Sequence, residues 1–98
     1  GLMAREQLSE RFGSVRSSLQ SFAEAMEVKL ARNDHKSNWR DLPVEALFQM
    51  LMIEIQEYQV AHKYLSVAEA RNELCDVANY CLILWDRLSL ENQKDKVK

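Results

Sequence analysis

Two glycines and one proline are all that interrupt the chain's 98 residues, and that scarcity excludes a great deal. A β-sandwich or barrel needs many tight turns, and turns draw on glycine and proline. Cysteine is equally sparse. Cys75 and Cys81 lie six apart in a helix-patterned stretch, which suits neither a CxxC metal knuckle nor a local disulfide. They read as buried, reduced thiols and point to a cytoplasmic setting. No apolar run is long enough to span a bilayer, and no leader with a charged start and an apolar middle appears, so no membrane association is expected. Charge of one sign is also missing. The net charge of −2 gives no general reason for a nucleic-acid or anionic-membrane partner. The 47% hydrophobic content, in turn, argues against disorder. What remains is one domain, residues 1–98, of a size at which association with further copies would help to complete a core.

Apolar residues recur at helical spacing along three segments. Leu8, Phe12, Val15, Leu19, Phe22, Met26 and Leu30 form one stripe, which predicts a long helix ending near Asn33-Asp34 despite Gly13. After a polar linker, Asp41-Leu42-Pro43 opens a second helix, with Asp41 available as a cap and Pro43 in the first turn. Its stripe is Leu47, Leu51, Glu54, Tyr58, Ala61 and Leu65. Ser66-Val67-Ala68-Glu69 fits a capping box and starts the third helix, striped by Ala70, Leu74, Val77, Cys81, Leu84 and Leu88. Glu73, Asp76, Tyr80 and Ile83 flank that stripe. From Leu74 to Trp85 the helix is apolar nearly all round, so it should be covered on more than one side. The charged stretch 91–98 is expected to fray, leaving a core over about 14–90. The expected fold is all-α, an antiparallel bundle of three main helices per chain completed by oligomerisation.

The chemistry lies in four acids. Glu54 and Glu57 share one helix face, as do Glu73 and Asp76, so each helix presents two carboxylates. Glu54 stands between two isoleucines, and Asp76 and Asn79 are the only polar residues from Leu74 to Trp85. A carboxylate in apolar surroundings needs a proton, a cationic partner or a metal. With no Lys or Arg interspersed, a divalent cation is the expectation, and hard oxygen ligands suit Mg²⁺ or Mn²⁺.

Glu54-x-x-Glu57, fifteen intervening residues and Glu73-x-x-Asp76 together resemble the EExxE…ExxD signature of the MazG-like all-α nucleoside triphosphate pyrophosphohydrolases, relatives of the dimeric dUTPases. The segments 22–30, Asn33-Asp34-His35-Lys36 with Trp39, and 73–80 are similar to the phage-type members, so the likeness covers about residues 20–88. One departure is Ile53, which stands where the signature has its first glutamate. The resemblance implies Mg²⁺-dependent (Mn²⁺ as substitute) conversion of a (deoxy)nucleoside triphosphate to the monophosphate and pyrophosphate, a role in nucleotide-pool housecleaning, and a homodimer or homotetramer. It implies Glu54, Glu57, Glu73 and Asp76 as metal ligands, with Glu54 or Glu57 orienting the attacking water. Positively charged Lys29, Arg32 and Lys36, with Asn33, Trp39 and Asn79, are the candidate substrate contacts, Trp39 offering a stacking face.

Several plainer readings compete. ExxE pairs commonly form solvated, salt-bridged faces. A di-iron bundle would need Glu-x-x-His, which does not occur at Glu54, Glu57 or Glu73. His35 and His62 read as surface residues, Trp39 as a plug of the core, Tyr80 and Trp85 as core, and Asn79 as support for the carboxylates. A non-catalytic helical protein–protein interaction module with the same fold is the alternative function.

Overall fold

A computed structural model describes residues 15–33 and 39–97, with side chains as far as Asn92. Leu8, Phe12 and Gly13 of the first predicted helix, and Asp34, His35 and Lys36 of the linker, lie outside the described residues. Within them the fold is all-α, three main helices packed together with no strand. Helix α1 spans Ser17–Asn33, α2 spans Val44–Val60 and α3 spans Val67–Val97. A 3-10 turn, Trp39–Asp41, precedes α2, and a π turn, Ala61–Leu65, joins it to α3. Helix α3 is the spine, packing along α2 and also against α1.

Local chemistry explains the boundaries. Helix α1 is built of good helix formers with no glycine or proline inside it. Helix α2 starts on Pro43, whose extended backbone (φ −68°, ψ 155°) presents its carbonyl to the amides of Ala46 and Leu47 at 3.0 and 3.2 Å. Asp41, expected as the cap, instead closes the 3-10 turn, and no side chain caps this helix end. Ser66 does cap α3, its Oγ accepting the Glu69 amide at 3.1 Å. The stretch anticipated as a frayed tail carries helical backbone to Val97.

The inward faces follow the stripes only in part. On α1, Met26 and Leu30 are half-buried, while Val15, Leu19 and Phe22 of the same stripe are exposed. On α2, Leu47 is fully buried, and Leu51, Glu54 and Tyr58 half-buried, down to buried Ala61. The stripe then breaks. A π turn closes i→i+5 bonds and shifts later residues off the 3.6 register, so Leu65, expected inside, is 66% exposed. On α3 the most buried positions are Ala70, Cys75 and Asn79, and the last two lie outside both the flanking stripe and the predicted one. Leu74, Cys81 and Leu88 of the predicted stripe are exposed. Of the two thiols expected to be buried, Cys75 is and Cys81 is not; both are free. Trp85, read as core, is 67% exposed. Among the described residues, the buried set is only Leu47, Ala61, Ala70, Cys75 and Asn79.

Candidate functional site

Helices α2 and α3 bring three acids into one cluster. One carboxylate oxygen from each of Glu54, Glu57 and Glu73 lies within 4.8 Å of the others. Glu54 and Glu73 are half-buried between the helices, and Glu57 sits at the exposed edge. Glu54 Oε2 and Glu73 Oε2 are buried and have no hydrogen-bond partner. Burial, then a hydrogen bond with Glu57 and the charges of Glu57, Asp76 and Glu73, pushes the Glu54 carboxyl from 4.5 up to about 7. Burial and the charges of Asp76 and Glu57 also raise Glu73, against the opposing pull of Lys29.

This arrangement fits a divalent cation. Octahedral Mg²⁺ holds oxygens at about 2.1 Å, which places ligand oxygens roughly 3–4 Å from one another. The three clustered carboxylate oxygens are nearly that close already, and a cation between these carboxylates would answer the unsatisfied oxygens of Glu54 and Glu73. Hard, anionic donors of this kind favour Mg²⁺ or Mn²⁺ over softer metals.

The fourth acid is placed differently. Asp76 Oδ2 accepts a hydrogen bond from Lys29 Nζ at 2.7 Å, forming an ion pair, and stands beside the three-glutamate cluster rather than in it. Lys29 Nζ also donates to the Asn72 carbonyl at 3.0 Å. The expectation that no lysine or arginine sits among the acids is therefore corrected at Asp76. The lysine comes from α1, 47 positions away, and neighbours in sequence cannot reveal it.

Next to the cluster is a cavity of about 230 Å³ lined by Lys29, Leu30, Asn33, Trp39, Glu54, Asp76, Asn79, Tyr80 and Ile83. Four of the six residues singled out for substrate, Lys29, Asn33, Trp39 and Asn79, thus share one wall with two of the acids. Arg32 is exposed and does not line it, while Lys36 lies outside the described residues. Asn33 Nδ2 donates to the Lys29 carbonyl at 3.0 Å. Asn79 Nδ2 donates to the Met26 carbonyl at 3.2 Å and ties α3 to α1. Tyr80, expected to be plain core, is half-buried at the cavity. Burial, then the charges of Glu54 and Asp76, raises its phenol, with Trp39 opposing. His62 is exposed as expected, stacked on Tyr58 at 5.9 Å between ring centroids.

Sequence reasoning missed Arg87. From α3 it donates through Nη1 to the Leu42 carbonyl at 2.5 Å and through Nη2 to those of Trp39 and Arg40 at 2.7 and 2.9 Å. Its planar fork therefore pins the 3-10 turn that carries Trp39. The one available signal was an arginine two residues after Trp85, just past the helix's apolar stretch. Ile53, in contrast, is 52% exposed and carries no ligand atom, so the position where the signature has its first glutamate adds nothing to the cluster here.

A stretch of 58 residues is 40% identical to an uncharacterized protein of Archaeoglobus fulgidus. The match takes in 59% of this chain and 62% of that protein, so the chain spans less than two thirds of its relative's length. No family model and no solved structure matches the chain.

Proposed function

We infer that the protein is a divalent-cation-dependent nucleotide pyrophosphohydrolase of the MazG-like kind, cleaving a (deoxy)nucleoside triphosphate between the α- and β-phosphates. The observation that carries the reading is the trio Glu54, Glu57 and Glu73, with two orphaned oxygens, beside a cavity lined by Lys29, Asn33, Trp39 and Asn79. Glu54 and Glu73 are the principal ligands, and Asp76 completes the set through whichever oxygen Lys29 leaves free. Bound Mg²⁺ would neutralise the triphosphate and activate water. Phosphoryl transfer demands chiefly positioning and charge stabilisation, and that is what these side chains supply. Lys29 holds Asp76 in place and presents positive charge at the cavity edge. Glu57, exposed at the rim, has access to water and is assigned its orientation. Trp39, fixed through Arg87, offers a flat wall to a base.

The active form in this reading is a homodimer or homotetramer. Phe48, Met52 and Ile53 on α2 and Trp85, Leu88 and Leu90 on α3 are all exposed in a single chain. A groove of about 850 Å³ between α1 and α3 also displays Leu19, Phe22 and Leu74. Faces of this kind normally mark an interface.

The same faces, with Ile53 at a motif position, favour a second reading, a helical interaction module without catalysis. Pyrophosphate release from a panel of nucleoside triphosphates with Mg²⁺ separates the two. The enzyme reading expects release that EDTA and Glu54→Gln abolish. No release from any nucleotide, with Mg²⁺ or Mn²⁺, would leave the module.

A further inference from the structure

Asn79 is 6% exposed, and its amide is only half satisfied. Nδ2 is committed to the Met26 carbonyl at 3.2 Å, which fixes the orientation of the group. Oδ1 is buried and has no partner, although the residue lines the cavity beside the acids. A buried acceptor left unpaired costs about 1–3 kcal/mol. No neighbouring group relieves it: Lys29 Nζ is turned to Asp76 and Asn72, and no side chain lining the cavity donates to it. Phosphate oxygens are acceptors as well, so a phosphate in this position would meet the wrong partner. At about 230 Å³ the cavity is also smaller than a site that encloses a whole drug-sized ligand, for which roughly 300–1,000 Å³ is usual.

We propose that Asn79 is the specificity-determining residue for the nucleoside half of the substrate, its Oδ1 accepting a hydrogen bond from an N–H of the base or an O–H of the sugar lodged between Trp39 and Asn79. This rests on the nucleotide reading above and adds to it a direction: the cavity selects a donor. Discrimination of this kind is strong because a ligand that lacks the donor leaves a buried oxygen unpaired. A structural role for Asn79, tying α1 to α3 through Nδ2 alone or satisfying Oδ1 with a water, makes no distinction among ligands.

Affinities of α,β-imido nucleoside triphosphates, which cannot be cleaved at that bond, test it in the presence of Mg²⁺. One arm varies the base, and the other compares 2′-deoxy with 2′,3′-dideoxy sugars. Each is measured on the parent, Asn79→Ala and Asn79→Ser, with circular dichroism as the control for folding. The expected result is one donor-lacking analogue that binds the parent about tenfold more weakly, yet loses nothing more on Asn79→Ala. The analogues that keep the donor lose about tenfold on that substitution. If the sensitive arm is the base, Oδ1 reads the base; if it is the sugar, it reads the hydroxyl. Should Asn79→Ala not fold, equal affinity of the parent for every analogue in both arms overturns the inference by itself. So does an equal loss across all analogues in the variants, which leaves the nucleotide reading standing. Failure of the parent to bind any imido nucleotide removes both.

Discussion

Glu54 occupies a position where an ordinary bundle helix would carry leucine, and the price of placing a carboxyl there appears in its proton affinity. In the metal-free protein it holds its proton to about pH 7, whereas the unfolded chain releases it near 4.5. Between those values the folded state carries more protons, so unfolding releases them and stability must fall as pH rises. Glu73, raised as well, acts in the same direction. Melting in EDTA from pH 4.5 to 7.5 should therefore show Tm decreasing across this window, with a flatter profile in Glu54→Gln. A parent Tm that climbs from pH 5 to 7, matched by the variant, would mean that Glu54 is an ordinary ionised surface acid. A cation must displace that proton, so metal affinity should rise over the same interval.

At this scale the sequence was legible for Glu54, Glu57 and Glu73, because ExxE and ExxD spacing fixes which acids share a helix face. It was not legible for Asp76, whose environment depends on Lys29 of another helix, nor for the half-satisfied amide of Asn79.

Among the elements, the existence and order of the helices were readable because the apolar periodicity is strong and glycine and proline are rare. The phase of each stripe was less so. The π turn at Ala61–Leu65 moves Leu65 outward, and on α3 Cys75 and Asn79 are buried in place of Leu74 and Cys81, Asn79 against α1. Periodicity finds an apolar stripe, but the choice among stripes on an all-round apolar helix is made by its neighbours. The link between α3 and the 3-10 turn was equally hidden, since it consists of one side chain reaching three carbonyls. Removing it should be felt locally. Hydrogen bonds from charged groups contribute about 1.5–3 kcal/mol each at best, and partial exposure lowers that. Arg87→Ala is expected to cost on the order of 2 kcal/mol in total, seen as a lower denaturation midpoint, and to weaken nucleotide binding by releasing Trp39. Arg87→Lys, which cannot span all three acceptors, should recover only part of both. If Arg87→Ala leaves nucleotide affinity unchanged, Trp39 is a plug of the core and not a wall of the site. Leu47, among the described residues the one large side chain wholly enclosed, sets the scale for the core itself: Leu47→Ala should cost about 2–5 kcal/mol.

For the whole molecule the balance between core and exposed apolar surface decides the argument. Four buried hydrophobic residues, among those described, are a slender core for a chain of 98. Stable assemblies bury about 1,200–2,000 Å² in total, and the exposed faces of α2 and α3 are suited to supply it. Sedimentation at micromolar concentration should show a dimer or tetramer, and Trp85→Glu should shift it toward monomer with a loss of stability. A parent that sediments as a monomer throughout that range contradicts the assembly. A cation bound only by the folded state adds about 2.7 kcal/mol at a hundredfold excess over Kd. For a domain of this size that corresponds to roughly 10–20 °C in Tm. Direct binding is the plainer test, since it depends on neither the substrate nor the melting reaction. Calorimetric titration of the metal-free protein with Mn²⁺ at pH 7.5 should give saturable binding in the parent, lost in Glu54→Gln and Glu73→Gln and retained in Glu69→Gln, an exposed acid on the first turn of α3. No saturable binding in the parent, or equal binding in all four proteins, would contradict a metal centre whose principal ligands are Glu54 and Glu73.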